Sequence, residues 1–168
     1  MVIQKKLGNI FSTFVGDRYT DKLQVEWFET NRRILHKKTN SDIAVTIKFL
    51  QENPNLKDGD ILWMDEKNVI VIEIKTCRCI VITPDCMLSA FSICYEIGNK
   101  HLPLFYHENE LLIAFEEPFY NLLLASGYPV KVEERKLENA LKTSVSPHVQ
   151  AGDNSGLFNK ILRLTNSQ

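Results

Sequence analysis

The spacing of apolar and polar positions changes near residue 77, and that change divides the chain. Up to about Ile74 the period is two. Leu23, Val25 and Trp27 alternate with polar residues, as do Ile43, Val45 and Ile47, the pattern of half-buried strands. Two apolar runs, 59–63 and 69–72, flank the polar turn Asp65-Glu66-Lys67-Asn68, which predicts a hairpin. Asn53-Pro54-Asn55 interrupts the pattern as a loop. Short strands at this spacing predict a small barrel or sandwich.

Beyond Cys77 helical spacing joins the alternation. Residues 79–82 predict a strand, and 84–97 a helix with Pro84 in a permitted first-turn position. Met87, Ala90, Phe91, Cys94 and Ile97 recur at helical intervals and are expected to face a core. Gly98 is expected to be the left-handed residue that closes this helix. His101, three residues further on, then sits at an exposed corner before a strand over 102–106. A strand over 111–115 follows the polar turn His107-Glu108-Asn109-Glu110. A second helix over 118–126 ends at Gly127, and a last strand spans 130–133. The order β-α-β-β-α-β is that of a ferredoxin-like fold. The expected class is therefore α+β: an all-β domain over 1–75, a ferredoxin-like domain over 76–136, and a flexible tail over 137–168. Within the tail, Leu157, Phe158, Ile161, Leu162 and Leu164 predict a short amphipathic turn, or a stretch that orders against something else.

Composition narrows the function classes. The 168 residues are 44% hydrophobic and 24% charged, enough apolar material for a real core. Twenty basic residues against twenty-one acidic ones leave a net charge of −1, which gives no electrostatic footprint for nucleic acid. No apolar run approaches the roughly twenty residues of a membrane helix. The start, Met1-Val2-Ile3-Gln4-Lys5-Lys6, lacks the apolar stretch of a signal peptide, so a cytoplasmic location is expected. Cys77, Cys79, Cys86 and Cys94 contain no C-x-x-C pair; they are read as free thiols acting as small hydrophobes. Cys77 and Cys79, two apart in a strand, are placed on one face.

Four histidines remain for chemistry. His36 lies in the strand-like run Ile34-Leu35-His36-Lys37-Lys38, amid positive charge, and is read as structural or solvated. His107 belongs to a hairpin turn and is read as solvated. Hydrolytic and transfer chemistry find no support: there is no Gly-x-Ser-x-Gly elbow, phosphate-binding glycine loop or His-Glu-x-x-His helix.

The segment Glu96-Ile97-Gly98-Asn99-Lys100-His101 resembles the Gly-Asn-(Arg/Lys)-His signature of the UreE family of urease accessory proteins, which are nickel metallochaperones. Val25-Glu26-Trp27-Phe28-Glu29-Thr30 with Arg32-Arg33-Ile34-Leu35, Asp42-Ile43-Ala44-Val45, and Leu56-Lys57-Asp58-Gly59-Asp60-Ile61-Leu62 are similar to the family's first domain. The resemblance runs from Met1 to about His148. It implies a ferredoxin-like metal domain, a homodimer with paired His101 side chains at its interface, and His148 as a metal ligand from the C-terminal segment. One histidine per chain holds a metal poorly, because Ni(II) takes at least four donors and favours imidazole; a two-fold axis brings two together. Leu102 and Leu104 are expected near that axis, with Tyr95 and Asn99 orienting His101. The partners implied are the accessory GTPase UreG, the urease apoprotein and, in some organisms, HypA; zinc and copper are competing ions. Two features depart from the family. The ending Leu164-Thr165-Asn166-Ser167-Gln168 is not histidine-rich, and Glu116-Glu117-Pro118 stands where some members carry histidines. Bulk nickel storage is therefore not expected, and about one ion per dimer is. Two rivals are an acylphosphatase-like enzyme on the same frame, opposed by the acid in Thr83-Pro84-Asp85, and a purely protein-binding module.

Overall fold

The protein is described by a computed structural model, which covers residues 1–50 and 53–141. The fold is α+β, with mostly strands and two helices. The first half holds β1 (Val2–Ile3), β2 (Gly8–Asn9), β3 (Tyr19–Val25), β4 (Ile34–Lys38), β5 (Ala44–Lys48), β6 (Asp60–Met64) and β7 (Asn68–Ile74). They form a three-stranded sheet, β1-β5-β4, and a four-stranded sheet, β2-β6-β7-β3. Alternation explains how the sheets meet. Leu23 and Val25 of β3, Leu35 of β4, and Val45 and Ile47 of β5 point inward and share one core with Ile70, Ile72 and Ile74 of β7.

Strand β7 is apolar on both sides because both are covered. Ile70, Ile72 and Ile74 face the sandwich core, while Val69 and Val71 pack with Ile61 under Ile10 and Val15. Each such buried aliphatic side chain contributes about 1.5–3 kcal/mol. The hairpin between β6 and β7 is closed by Asp65, whose Oδ1 accepts the N–H groups of Lys67 at 2.8 Å and Asn68 at 2.7 Å.

The second half holds β8 (Thr76–Ile82), α1 (Met87–Asn99), β9 (Phe105–His107), β10 (Glu110–Ala114), α2 (Glu117–Ala125) and β11 (Val130–Lys136). Its sheet runs β11-β8-β10-β9 with every pairing antiparallel. Both helices cover one face, where Ile80, Ile82 and Ile113 meet Ile93 and Ile97 of α1 and Phe119 and Leu123 of α2. The other face, with Cys79, Val81, Phe105 and Leu112, is covered by Leu137 and Trp27. Trp27 reaches it from a 3-10 turn after β3 and meets Phe105 edge-on at 5.4 Å. Lys136 also bridges to Asp58 of the first half at 2.7 Å.

Several expected boundaries move, each for a local reason. Helix α1 starts at Met87 rather than 84 because Cys86 caps it, its Sγ accepting the Ser89 N–H at 3.5 Å. Strand β9 starts at Phe105 rather than 102, since Pro103 has no N–H for a ladder. Strand β11 extends to Lys136, three residues past Glu133, and pairs with β8 throughout. Met87 and Phe91, expected to face the core, point to solvent; Ile93 and Ile97 are the buried positions of α1.

Candidate metal centre

Helix α1 ends differently from the sequence expectation, and the difference falls on the candidate ligand. Gly98 lies inside the helix, not at a left-handed cap. The left-handed residue is His101 itself, at φ 56°. Its N–H donates to the Gly98 carbonyl at 3.0 Å, and the Leu102 N–H donates to the Ile97 carbonyl at 3.3 Å. This pair of bonds is the Schellman motif, with His101 in the position usually held by glycine. Leu102 then packs in the same apolar cluster as Ile97, which anchors the turn. A left-handed backbone costs a non-glycine residue roughly 1–2 kcal/mol, although histidine tolerates it better than most. His101 is exposed at this corner, as the sequence predicts.

The helix that leads to this corner carries an apolar surface. Met87, Leu88, Phe91 and Tyr95 are 71%, 74%, 63% and 69% exposed, and all lie on the outer face of α1 at helical spacing. Sequence reasoning missed this face because it assigned a single apolar stripe to the helix. The signal was present: α1 carries apolar residues on both sides, a pattern that asks for cover on both. Leu104, expected beside a two-fold axis, is instead buried in the helix-covered core, and Leu102 is half-buried.

The other candidates sit apart. His36 on β4 is exposed with its Nδ1 3.0 Å from Thr46 Oγ1 across the sheet. His107 ends β9 at the β9–β10 turn, six residues along the chain from His101. The cysteines are free thiols. Burial pushes the Cys77 thiol up to about 11 and raises Cys79 and Cys94 as well, the direction that disfavours the thiolate form. Cys77 and Cys79 pack on one face of β8. Among the described residues, no three His, Cys, Asp or Glu side chains converge on a point that could hold a metal. His148 lies outside the described residues.

These features define a two-part α+β protein that presents an exposed histidine on a left-handed backbone at the end of a helix with an exposed apolar face. A family model described as UreE urease accessory protein, N-terminal domain, matches residues 3–75. The chain is 39% identical over 164 residues to the urease accessory protein UreE of Flavobacterium johnsoniae, covering 98% of this chain and 99% of that protein. It is 35% identical over 153 residues to the UreE of Helicobacter pylori, with 88% and 89% coverage. The UreE of Acetivibrio thermocellus is 34% identical over 141 residues, covering 84% and 92%. The chain belongs to the UreE family of urease accessory proteins. No helix among the described residues is long and apolar enough to cross a membrane.

Proposed function

We propose that this protein is a non-catalytic, cytoplasmic nickel metallochaperone that serves urease assembly as a homodimer. The observation that carries the reading is His101, held exposed in a left-handed turn at the end of the helix that bears the Met87–Leu88–Phe91–Tyr95 face. Backbone strain at an exposed, potentially coordinating side chain points to function. The apolar face of α1 supplies a surface for a two-fold contact, and such a contact pairs His101 with its counterpart. Two imidazoles and further donors then hold one Ni(II), with zinc and copper as competitors.

His148 completes the site in this reading. The chain beyond β11 crosses the sheet and returns to the strand that follows His101: Ala140 bridges Phe105, and the Leu141 N–H donates to the Leu104 carbonyl at 2.7 Å. Seven residues lead from Leu141 to His148 and three from Leu104 to His101. Seven extended residues span up to about 25 Å, so reach is ample. Residues 1–75 form a protein-contacting unit, 76–136 a ferredoxin-like metal domain and 137–168 a tail whose first residues, Leu137 to Leu141, pack back onto that domain. Cargo passes to UreG and the urease apoprotein, and HypA is a source. The rival phosphatase chemistry has little to recommend it, since the β8–α1 loop carries Asp85 and no cation.

The test is nickel stoichiometry by calorimetry with sedimentation in parallel. About one nickel per two chains is expected for wild type, lost in His101→Ala while the dimer persists. A folded His101→Ala protein with unchanged nickel affinity overturns the assignment.

A further inference from the structure

The first half contains a groove that the nickel reading does not use. It has a volume of about 770 Å³ and lies between the two sheets of the sandwich, where the chain passes from β1 to β2. Phe49 and Leu62 form its buried floor, and Trp63, Leu7 and Leu50 its walls, with Leu7 and Leu50 exposed. Exposed aliphatic side chains gathered around a recess mark an interaction surface.

Two further features specify what fits there. The first is a free strand edge. Strand β2 pairs with β6 only at Asp60 and Ile61, and the Leu7 N–H takes the Ile61 carbonyl at 2.9 Å. Among the described residues no strand flanks β6 on that side from Leu62 to Met64, because its other neighbour, β7, lies opposite. Unpaired N–H and C=O groups on such an edge are a template for another strand. The second is charge. Among the described residues, Lys5 and Lys48 are the charged residues lining the groove, and neither takes part in an ion pair there. Neighbouring Lys6 differs, being held by Asp60 at 3.0 Å.

We infer that this groove binds an extended segment of another protein in which apolar and acidic side chains alternate. Its backbone pairs with the Leu62–Met64 edge as an added strand. One set of side chains fills the recess, and the acidic set meets Lys5 and Lys48. The chain's own C-terminal segment does not fit this description. Residues 142–168 contain Lys142, Lys160 and Arg163 against a single acid, Asp153. The inference rests on residues 1–75 being the protein-contacting unit, and it specifies where contact occurs and with what chemistry.

The probe is a short fluorescein-labelled peptide alternating valine with glutamate, titrated to millimolar concentration into the full chain. Anisotropy and backbone amide NMR shifts are read together. The expected result is saturable binding, with shifts concentrated at Leu62, Trp63, Met64 and Leu50. Weakening by about tenfold is expected in a Lys5→Glu, Lys48→Glu double variant, corresponding to about 1.4 kcal/mol. Both lysines are exposed, so this variant keeps the fold. A peptide with lysine in place of glutamate should not bind, and an N-methylated acidic peptide should lose most of its affinity. Absence of binding, equal binding of the lysine peptide, or unchanged affinity in the double variant overturns the proposal. Peptide-induced shifts elsewhere in residues 1–75 would overturn the groove assignment while leaving that unit a protein-contacting one.

Discussion

Strand β7 and helix α1 carry the same sequence signature and meet different fates. Both are apolar on two sides. In β7 both sides are closed by this chain, Ile72 facing one cluster and Val71 the other. In α1 only Ile93 and Ile97 are closed, and the Met87–Tyr95 side is left in water. A central strand lies between layers that one polypeptide supplies, whereas an outer helix has only one layer beneath it. Surplus apolar pattern therefore means core in the first case and a missing partner in the second.

Matched substitutions test that contrast most severely. Ile72→Ala should lower unfolding stability by about 2–5 kcal/mol, measured by denaturant titration. Phe91→Glu should leave the monomer's stability within about 0.5 kcal/mol, yet convert the dimer to monomer in sedimentation and weaken nickel binding at least about tenfold through linkage. If Phe91→Glu unfolds the chain as Ile72→Ala does, the outer face of α1 is core after all and the contrast fails.

A smaller effect sharpens the account of the helix end. His101→Gly should stabilise the metal-free fold by about 1 kcal/mol, because glycine occupies the left-handed region without strain. His101→Ala should show no such gain, since alanine keeps the Cβ. Both should lose nickel. Equal denaturation midpoints for the two variants would mean that the turn at φ 56° stores no strain.

The smallest effect concerns Glu138, whose Oε1 is buried without a hydrogen-bond partner among the described residues, where the chain crosses the sheet. Burial there raises its carboxyl above the ordinary range, with Asp58 adding to the rise. A raised folded value contributes stability at pH below the unfolded value of about 4.3, and that contribution disappears as pH climbs through the folded value. Glu138→Gln should thus gain about a few tenths of a kcal/mol at neutral pH, allowing for solvent screening. The gain should vanish as pH falls toward 4.3. A gain that grows in acid would reverse the sign and exclude desolvation as the cause.

Much of this was legible in the chain, and the rest was hidden for identifiable reasons. The β6–β7 hairpin could be read from Asp65 and Asn68 because turn chemistry is local. The strand–helix order of the second half followed from the change of period. The parallel pairings of β3 with β7 and β1 with β5 could not be read, because alternation assigns a face but not a neighbour. Gly98 misled, since glycine commonly closes helices, yet helical bonding carries through it until the Leu102 contact with Ile97 fixes the turn three residues later. His101 was reachable from the motif, but its backbone conformation was not. The outer face of α1 was visible only as an excess of apolar residues that one stripe does not use.

The turn at His101 has one more consequence, for the entropy of capture. Fixing a residue's backbone costs about 1–2 kcal/mol when a ligand has to do it. Here the His101 N–H and the Leu102 N–H are already bonded to the helix, so folding has met that cost before any ion arrives. A ligand that takes this imidazole has only the side-chain torsions left to order. If a two-fold axis duplicates the residue, the saving counts twice, and it comes from the pre-ordered backbone at φ 56° rather than from its strain, which is the same with and without a ligand.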